Sequence, residues 1–126
     1  MAEESVSHVF FNHETNTVGS YTECWINERI KVRDLYLIVR NHYWKDSQGK
    51  LWGDFNHPME NIYQGFAAYR HAKNYITPDE IIKKCQSLYL TVDEFADMKG
   101  INRSRMHEII NNKRIQTPEE EKLLNK

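Results

Sequence analysis

The sequence predicts an α+β protein: a small N-terminal domain containing a β-hairpin, followed by an all-helical domain. All three Trp and two turn-like strings, residues 12–16 and 45–50, lie within the first 55 residues, which is typical of short strands joined by turns. Three Thr-x-x-Glu tetrapeptides lie after residue 76, each a signature of a helix start. We therefore divide the chain into a β-rich domain for interaction or dimerisation (1–58), a connecting helix (59–75) and a helical domain (76–126).

Four short strands are expected in the first part. Residues 7–11 form one candidate, and residues 21–26 form a second that breaks at the following Asn-Glu. Residues 35–44 begin with a β-rich apolar run, residues 46–49 turn the chain, and residues 51–55 return. Apolar runs on both sides of a short polar turn predict a hairpin. Its aromatic residues are expected to fill the core, since aromatic side chains dominate small cores.

A helix is expected over residues 59–73, because Ile62, Phe66 and Tyr69 recur at helical spacing. Further helices are expected to start at Thr77, Thr91 and Thr117. In a capping box the Thr hydroxyl accepts a hydrogen bond from the backbone N–H three residues on, and the Glu side chain accepts one from the Thr backbone N–H.

The stretch from residue 90 to residue 114 predicts two helices joined by a tight turn. The first covers residues 91–98 and is closed by Gly100, which suits a left-handed position. Asn102 caps the second, residues 103–111, and Asn112 tolerates a left-handed conformation. The spacing fits a helix-turn-helix. Its buried face is expected to comprise Phe95, Ala96, Ile101, Met106 and Ile109.

These residues resemble the Cro/repressor-type (XRE-like) helix-turn-helix family. Residues 90–96 read Leu-Thr-Val-Asp-Glu-Phe-Ala, where the family has Leu-Thr/Ser-x-x-Glu-Leu-Ala. Residues 100–102 match its Gly-Ile-Ser turn, and residues 111–113 its Asn-Gly-Lys close. Lys99 departs from a usually apolar position, and Val92 from a Gln that often contacts phosphate. The resemblance implies a Cro/repressor-like fold for the helical domain.

A longer stretch, residues 59–124, resembles the DNA-binding half of MqsA-type antitoxins. It is carried by Tyr69-Arg70 at the end of one helix and by the Thr-Pro-Asp-Glu-Ile that opens the next. That family carries paired CxxC zinc knuckles in its N-terminal part. This chain has only Cys24 and Cys85, so the resemblance implies an N-terminal domain that has lost its metal.

The resemblance also implies which residues contact DNA, because the second helix of such motifs enters the major groove. Arg103, Ser104 and Glu108 are expected to contact bases. Residues 99–114 hold five basic residues against one acid, in a chain of net charge −1. Flanking or phosphate contacts are expected from Lys99, Asn102, Arg105, His107, Lys113 and Arg114.

The function expected is sequence-specific DNA binding by a transcriptional repressor of antitoxin-like or phage/plasmid type. One recognition helix contacts few bases, so a homodimer on a palindromic double-stranded operator is expected. The alternative is a protein-interaction module, in which the helix-turn-helix is a scaffold and the aromatic N-terminal region binds a toxin or another protein. No motif of an enzyme is present, and no cofactor is expected.

Other site types are disfavoured. Neither Cys belongs to a CxxC pair, and the six His lack metal-ligand spacing. A metal site from His8, His13, His42 and Asp46 is conceivable, but scattered surface or core histidines are the favoured interpretation, and no metal is expected. No apolar run approaches the ~20 residues of a membrane span, and the acidic first five residues lack the features of a signal peptide. A cytoplasmic location is therefore expected.

Overall fold

A computed structural model describes residues 6–126 of the chain. Residues 1–5, on which the prediction about a signal peptide rests, lie outside the described residues. The chain divides into two compact units, Met1–Gly65 and Phe66–Lys126. The boundary lies within the helix that was expected to connect two domains, and each unit is described by itself.

In its described part, residues 6–65, the first unit contains one antiparallel sheet with strand order β1-β2-β3-β4. The strands are β1 (Ser7–Asn12), β2 (Thr17–Val32), β3 (Leu35–Lys45) and β4 (Leu51–Trp52). Consecutive strands are neighbours throughout, so the sheet is a meander of hairpins. β2 and β3 pair from Thr22 opposite Lys45 to Val32 opposite Leu35, and this long hairpin dominates the unit.

This sheet shows that the predicted fold class was wrong. In place of a small domain with one hairpin, the first half of the molecule is a four-stranded sheet, and five helices follow it in the chain. The expected hairpin between residues 35–44 and 51–55 is reduced to two pairs, Trp44 with Trp52 and Lys45 with Leu51. What the structure supports is the coarser description of an antiparallel sheet followed by helices.

β2 is 16 residues long because the polar residues at its expected break fit the alternation of the sheet. From Trp25 to Val32 every second residue is exposed and the residues between are half-buried. The expected break at Asn27 and Glu28 is absent, since Glu28 accepts hydrogen bonds from Asn41 Nδ2 at 2.9 Å and from the Tyr43 hydroxyl. These two hydrogen bonds lower the pKa of Glu28, and the bond from Tyr43 has the larger effect.

Aromatic side chains form the centre of the first unit, as expected. The Phe10 ring lies 4.8 Å from that of Trp44 and 5.1 Å from that of Phe55, and the Tyr21 ring lies 5.0 Å from that of Phe55. Tyr21 and Trp44 are buried. The tilted and edge-on arrangements are those that aromatic quadrupoles favour.

Beyond the two residues that pair with β4, the backbone of β3 is bonded to a side chain at His42. The backbone N–H of His42 donates to Asn61 Oδ1 at 2.8 Å, and Asn61 Nδ2 donates to the His42 carbonyl at 2.8 Å. One carboxamide thus supplies the donor and the acceptor that a neighbouring strand would supply.

Five helices follow the sheet: α1 (Glu60–Lys73), α2 (Pro78–Ser87), α3 (Val92–Lys99), α4 (Arg103–Ile110) and α5 (Pro118–Leu124). The three expected capping boxes are confirmed at Thr77, Thr91 and Thr117, each with both reciprocal hydrogen bonds. The Pro residues after Thr77 and Thr117 stand at the start of their helices, where a missing N–H leaves no bond unmade.

The core of the second unit is apolar and well enclosed. Ile81, Phe95, Ala96, Met106, Ile109 and Leu124 have no exposed surface, and Ile76, Cys85 and Ile101 are also buried. All five residues expected to form the buried face of the helix pair are among them. This core fixes the positions of α3 and α4.

Candidate nucleic-acid interface

The turn between α3 and α4 consists of Gly100, Ile101 and Asn102. Gly100 has φ 72°, a left-handed conformation that ends α3 and that L residues adopt at a cost. Ile101 is buried, and Asn102 Oδ1 accepts from the Arg105 backbone N–H at 3.2 Å. One buried side chain between a glycine and a cap thus fixes the turn.

The first turn of α4 is exposed to solvent. Arg103 and Ser104 lie on it, and both are exposed. The buried residues of this helix, Met106 and Ile109, face the core. Two of the three residues expected to contact bases are therefore accessible from outside.

The exposed cations of α4 are paired with acids of α3. Arg103 donates to Asp97 from Nε at 3.0 Å and from Nη2 at 2.5 Å, and its Nη1 lies 3.7 Å from Asp93 Oδ2. His107 Nε2 lies 2.8 Å from Asp93 Oδ1. The hydrogen bond with Asp97 raises the pKa of Arg103, and the same bond lowers the pKa of Asp97.

These acids make the surface less positive than its sequence window indicated. The count over residues 99–114 omits Asp93 and Asp97, which lie on the preceding helix. Helix packing places both beside the start of α4. Only the three-dimensional arrangement shows this, because sequence distance separates each acid from its partner.

Arg105 is turned towards α5 and forms two parallel hydrogen bonds with Glu120. Nε donates to Oε2 and Nη2 donates to Oε1, both at 2.7 Å. The guanidinium of Arg105 is the main cause that lowers the pKa of Glu120 to about 2. The pair is partly buried, so this residue, expected to flank DNA, links α4 to α5.

The remaining expected contacts lie at the ends of the two helices. Arg114 Nε donates to Glu108 Oε2 at 2.6 Å, so a predicted phosphate contact and a predicted base contact are paired with each other. Lys113 is exposed. Lys99 Nζ donates to the Lys126 carbonyl at 2.6 Å and lies 5.6 Å from the centre of the Phe95 ring.

A buried arginine supports the segment that follows α4. Arg70 is only 1% exposed. Its Nε donates to Gln116 Oε1 at 3.0 Å, its Nη2 donates to the Arg114 carbonyl at 2.7 Å, and its Nη1 donates to Asn112 Oδ1. Asn112 has φ 58°, which confirms the expected left-handed conformation. The sequence pointed to Arg70 only through a resemblance and gave it no role.

The first unit holds a second group of titratable residues. His42, Asp54 and Glu60 are the one set of three or more potential metal ligands among residues 6–126. The other three residues of the conceivable sequence-based site, His8, His13 and Asp46, do not belong to it. Burial lowers the pKa of His42, but its hydrogen bonds to Glu60 and Glu23 outweigh burial and raise it.

No family model matches the chain, and no curated protein or solved structure is significantly similar to it. The resemblances to Cro/repressor-type regulators and to MqsA-type antitoxins therefore stay expectations. Within residues 6–126, no helix has the length and apolar character needed to cross a membrane.

Proposed function

We propose that the chain is a sequence-specific DNA-binding regulator that acts as a transcriptional repressor. The observation that carries the proposal is the exposed first turn of α4, which follows a three-residue turn and presents Arg103 and Ser104 to solvent. A helix of this kind fits the major groove of DNA, where an arginine can donate two hydrogen bonds to guanine.

The ion pairs on this surface support a binding mode in which phosphates and bases compete with carboxylates. The Arg103 side chain is 57% exposed and that of Asp97 55% exposed. Exposed pairs contribute little to stability, so the guanidinium is released at low cost. Asp93 and Asp97 then remain near the DNA and repel phosphates, which disfavours non-specific binding.

In this proposal the regulator works as a homodimer in the cytoplasm, on a palindromic operator. A single eight-residue helix contacts too few bases for useful specificity, and two copies related by two-fold symmetry read two half-sites. Lys113 and Arg114, beyond the end of α4, are assigned to phosphates.

Binding to a selected operator and to a scrambled duplex, at several salt concentrations, tests the proposal. Arg103→Ala is expected to weaken operator binding by about 1–3 kcal/mol and leave scrambled DNA almost unaffected. Lys113→Ala is expected to weaken both and to reduce the salt slope by about one. The matched control is Lys83→Ala, an exposed lysine on α2, which should change neither.

Two results would overturn the proposal. The first is the absence of salt-dependent binding to any duplex by the folded protein. The second is an Arg103→Ala variant with unchanged operator affinity and an unchanged circular dichroism spectrum.

A second candidate function is protein binding through the outward face of the β2–β3 hairpin. Trp25, Tyr36 and Ile38 are 42%, 59% and 74% exposed on it. The Arg29 guanidinium lies 4.3 Å from the centre of the Tyr36 ring. Tyrosine, tryptophan and arginine are the residues most enriched where protein interfaces derive their binding energy.

The partner considered for this face is a second copy of the chain. Light scattering of the protein and of an Ile38→Asp variant tests this candidate, because it measures the oligomeric state of each. A dimer that dissociates in the variant would assign the hairpin face to self-association. A dimer that persists in the variant would exclude this face from the interface.

A further inference from the structure

The side chain of His42 is 8% exposed, and carboxylates face both of its ring nitrogens. Nδ1 lies 2.5 Å from Glu60 Oε1 and 3.8 Å from Asp54 Oδ2, and Nε2 lies 2.6 Å from Glu23 Oε2. The Trp25 ring stacks on the imidazole with its centre 4.4 Å away. The ring is therefore held in one orientation by its neighbours.

The carboxylate of Asp54 is also fixed. Its Oδ1 accepts from the backbone N–H groups of Asn56 and His57, both at 2.8 Å, and its Oδ2 accepts from the Trp44 indole at 3.0 Å. Oδ2 thus has a defined position on the Nδ1 side of the imidazole. Three protein atoms, one nitrogen and two carboxylate oxygens, converge there within 4.8 Å of one another.

The charges of this group are unbalanced. Three carboxylates, Glu23, Asp54 and Glu60, face one imidazole, and even a fully charged ring would offset only one of their three formal charges. Only 13% of the Asp54 side chain and 30% of the Glu60 side chain are exposed, so water screens this charge incompletely. A divalent cation between Nδ1 and the carboxylates of Asp54 and Glu60 would offset two of these charges.

We propose that His42 Nδ1, Asp54 Oδ2 and Glu60 Oε1 bind one divalent transition-metal ion, with Zn²⁺ as the representative case. Imidazole nitrogen and carboxylate oxygen are ligands of such ions, and three protein ligands leave a position open for water. The site differs from the metal-free protein expected from the sequence. It does not depend on DNA binding.

Glu23 supplies an independent observation in favour of a metal. A histidine that ligates through one nitrogen usually donates its other N–H to a carboxylate, which fixes the ring and its tautomer. Glu23 Oε2 occupies that position on Nε2. It lies on β2, while the proposed ligands come from β3, from the segment after β4 and from the start of α1.

The distances require only small side-chain movements. Two ligand atoms on a tetrahedral zinc ion lie about 3.3 Å apart, given metal–ligand distances of ~2.0–2.2 Å. The observed separations of 2.5 and 3.8 Å from Nδ1 lie on either side of this value. Solvent reaches Glu60 through an open groove lined by Asn56, His57, Pro58, Met59, Glu60 and Tyr63.

The test is metal binding by the full chain after chelator treatment. We expect isothermal titration with Zn²⁺ to give one site per chain, because one group of three ligand atoms converges in the described residues. We expect Co²⁺ at the same site to produce visible absorption bands and to quench tryptophan fluorescence, since Trp25 lies against the ligating ring.

Variants decide whether this group is the site. Glu60→Gln and Asp54→Asn should each weaken Zn²⁺ binding at least tenfold, and Glu23→Gln should weaken it about 10–100-fold through the loss of a supporting hydrogen bond. His71→Gln removes an exposed histidine outside the group and should have no effect. The circular dichroism spectrum of each variant confirms that it is folded.

Three outcomes would overturn the proposal. They are no stoichiometric Zn²⁺ binding by the folded wild-type chain, unchanged binding by folded Glu60→Gln and Asp54→Asn, and loss of binding in His71→Gln. In each case the hydrogen bond between Nδ1 and Glu60 would be the native arrangement, with no metal at this position. DNA binding is measured separately, so failure here leaves the proposed function unaffected.

Discussion

Replacing Glu120 with glutamine should reduce stability at neutral pH and have almost no effect in strong acid. The pKa of Glu120 is lowered from 4.5 to about 2, first by the hydrogen bond from Arg105. One pKa unit corresponds to about 1.36 kcal/mol, so this lowering corresponds to about 3 kcal/mol of unfolding free energy. In the wild type the Thr117 backbone N–H donates to Glu120 Oε1 at 2.8 Å. Glutamine can still accept this hydrogen bond, so the variant tests the loss of the charge more than the loss of the helix cap.

The sign of the pH dependence follows from the lowered pKa. A carboxyl with a lower pKa in the folded state contributes its full stability above its unfolded pKa, about 4.5, and loses it as the pH falls to about 2. The difference between wild type and Glu120→Gln should therefore be about 3 kcal/mol at pH 7 and shrink steadily between these two values.

Urea unfolding followed by circular dichroism at several pH values measures this difference. Glu119→Gln is the matched control, because Glu119 is exposed in the same helical turn and its loss should cost only a few tenths of a kcal/mol. An equal difference between wild type and Glu120→Gln at pH 7 and at pH 3 would refute the assignment to the ion pair.

Three other substitutions have defined expectations. Gly100→Ala should lower the unfolding free energy by about 1 kcal/mol, because φ is 72° and L residues adopt this conformation at a cost. An added Cβ meets nothing within 4 Å, so backbone strain is the only cost; thermal unfolding checks this, and no change would contradict the strain argument. Arg70→Met should cost about 3–5 kcal/mol, since it leaves buried acceptors without their donor; a loss below 1 kcal/mol in urea unfolding would show that the three bonds contribute little. Asp97→Asn should strengthen operator binding by releasing Arg103 and removing a charge that repels phosphate, and equal or weaker binding in a fluorescence anisotropy titration would contradict the proposed competition.

The helices could be predicted because their signals are local. The Thr91 hydroxyl accepts a hydrogen bond from the Glu94 backbone N–H, and the Glu94 carboxylate accepts one from the Thr91 backbone N–H. Four residues of sequence therefore contain the whole interaction. Gly100 and Asn112 were predictable for the same reason, since a left-handed conformation restricts which residue stands there.

The sheet was harder to predict because its turn lacks the usual residues. Arg33 takes φ 52° between β2 and β3, where Asn-Gly or Asp-Gly is the common signal. The apparent break at Glu28 is compensated by Asn41 and Tyr43, which lie 13 and 15 residues further along the chain. A partner from the adjacent strand makes a polar residue compatible with a half-buried position.

Both candidate sites depend on contacts between distant residues. His42 lies 19 residues from Glu23 and 18 from Glu60, and the buried Arg70 lies 46 residues from Gln116. No periodicity or spacing rule relates such positions. The residues of the turn between α3 and α4 were therefore predictable from the sequence, whereas the acids that pair with the first turn of α4 were not.

The carboxamide of Asn61 on the edge of β3 also bears on how the protein avoids self-templated aggregation. An open strand edge presents unpaired N–H and C=O groups to which a strand of another molecule can add. At His42 both groups are already bonded to one side chain, so an incoming strand meets neither donor nor acceptor there. Because Asn61 belongs to α1, unfolding of the start of that helix would uncover these two backbone groups of β3.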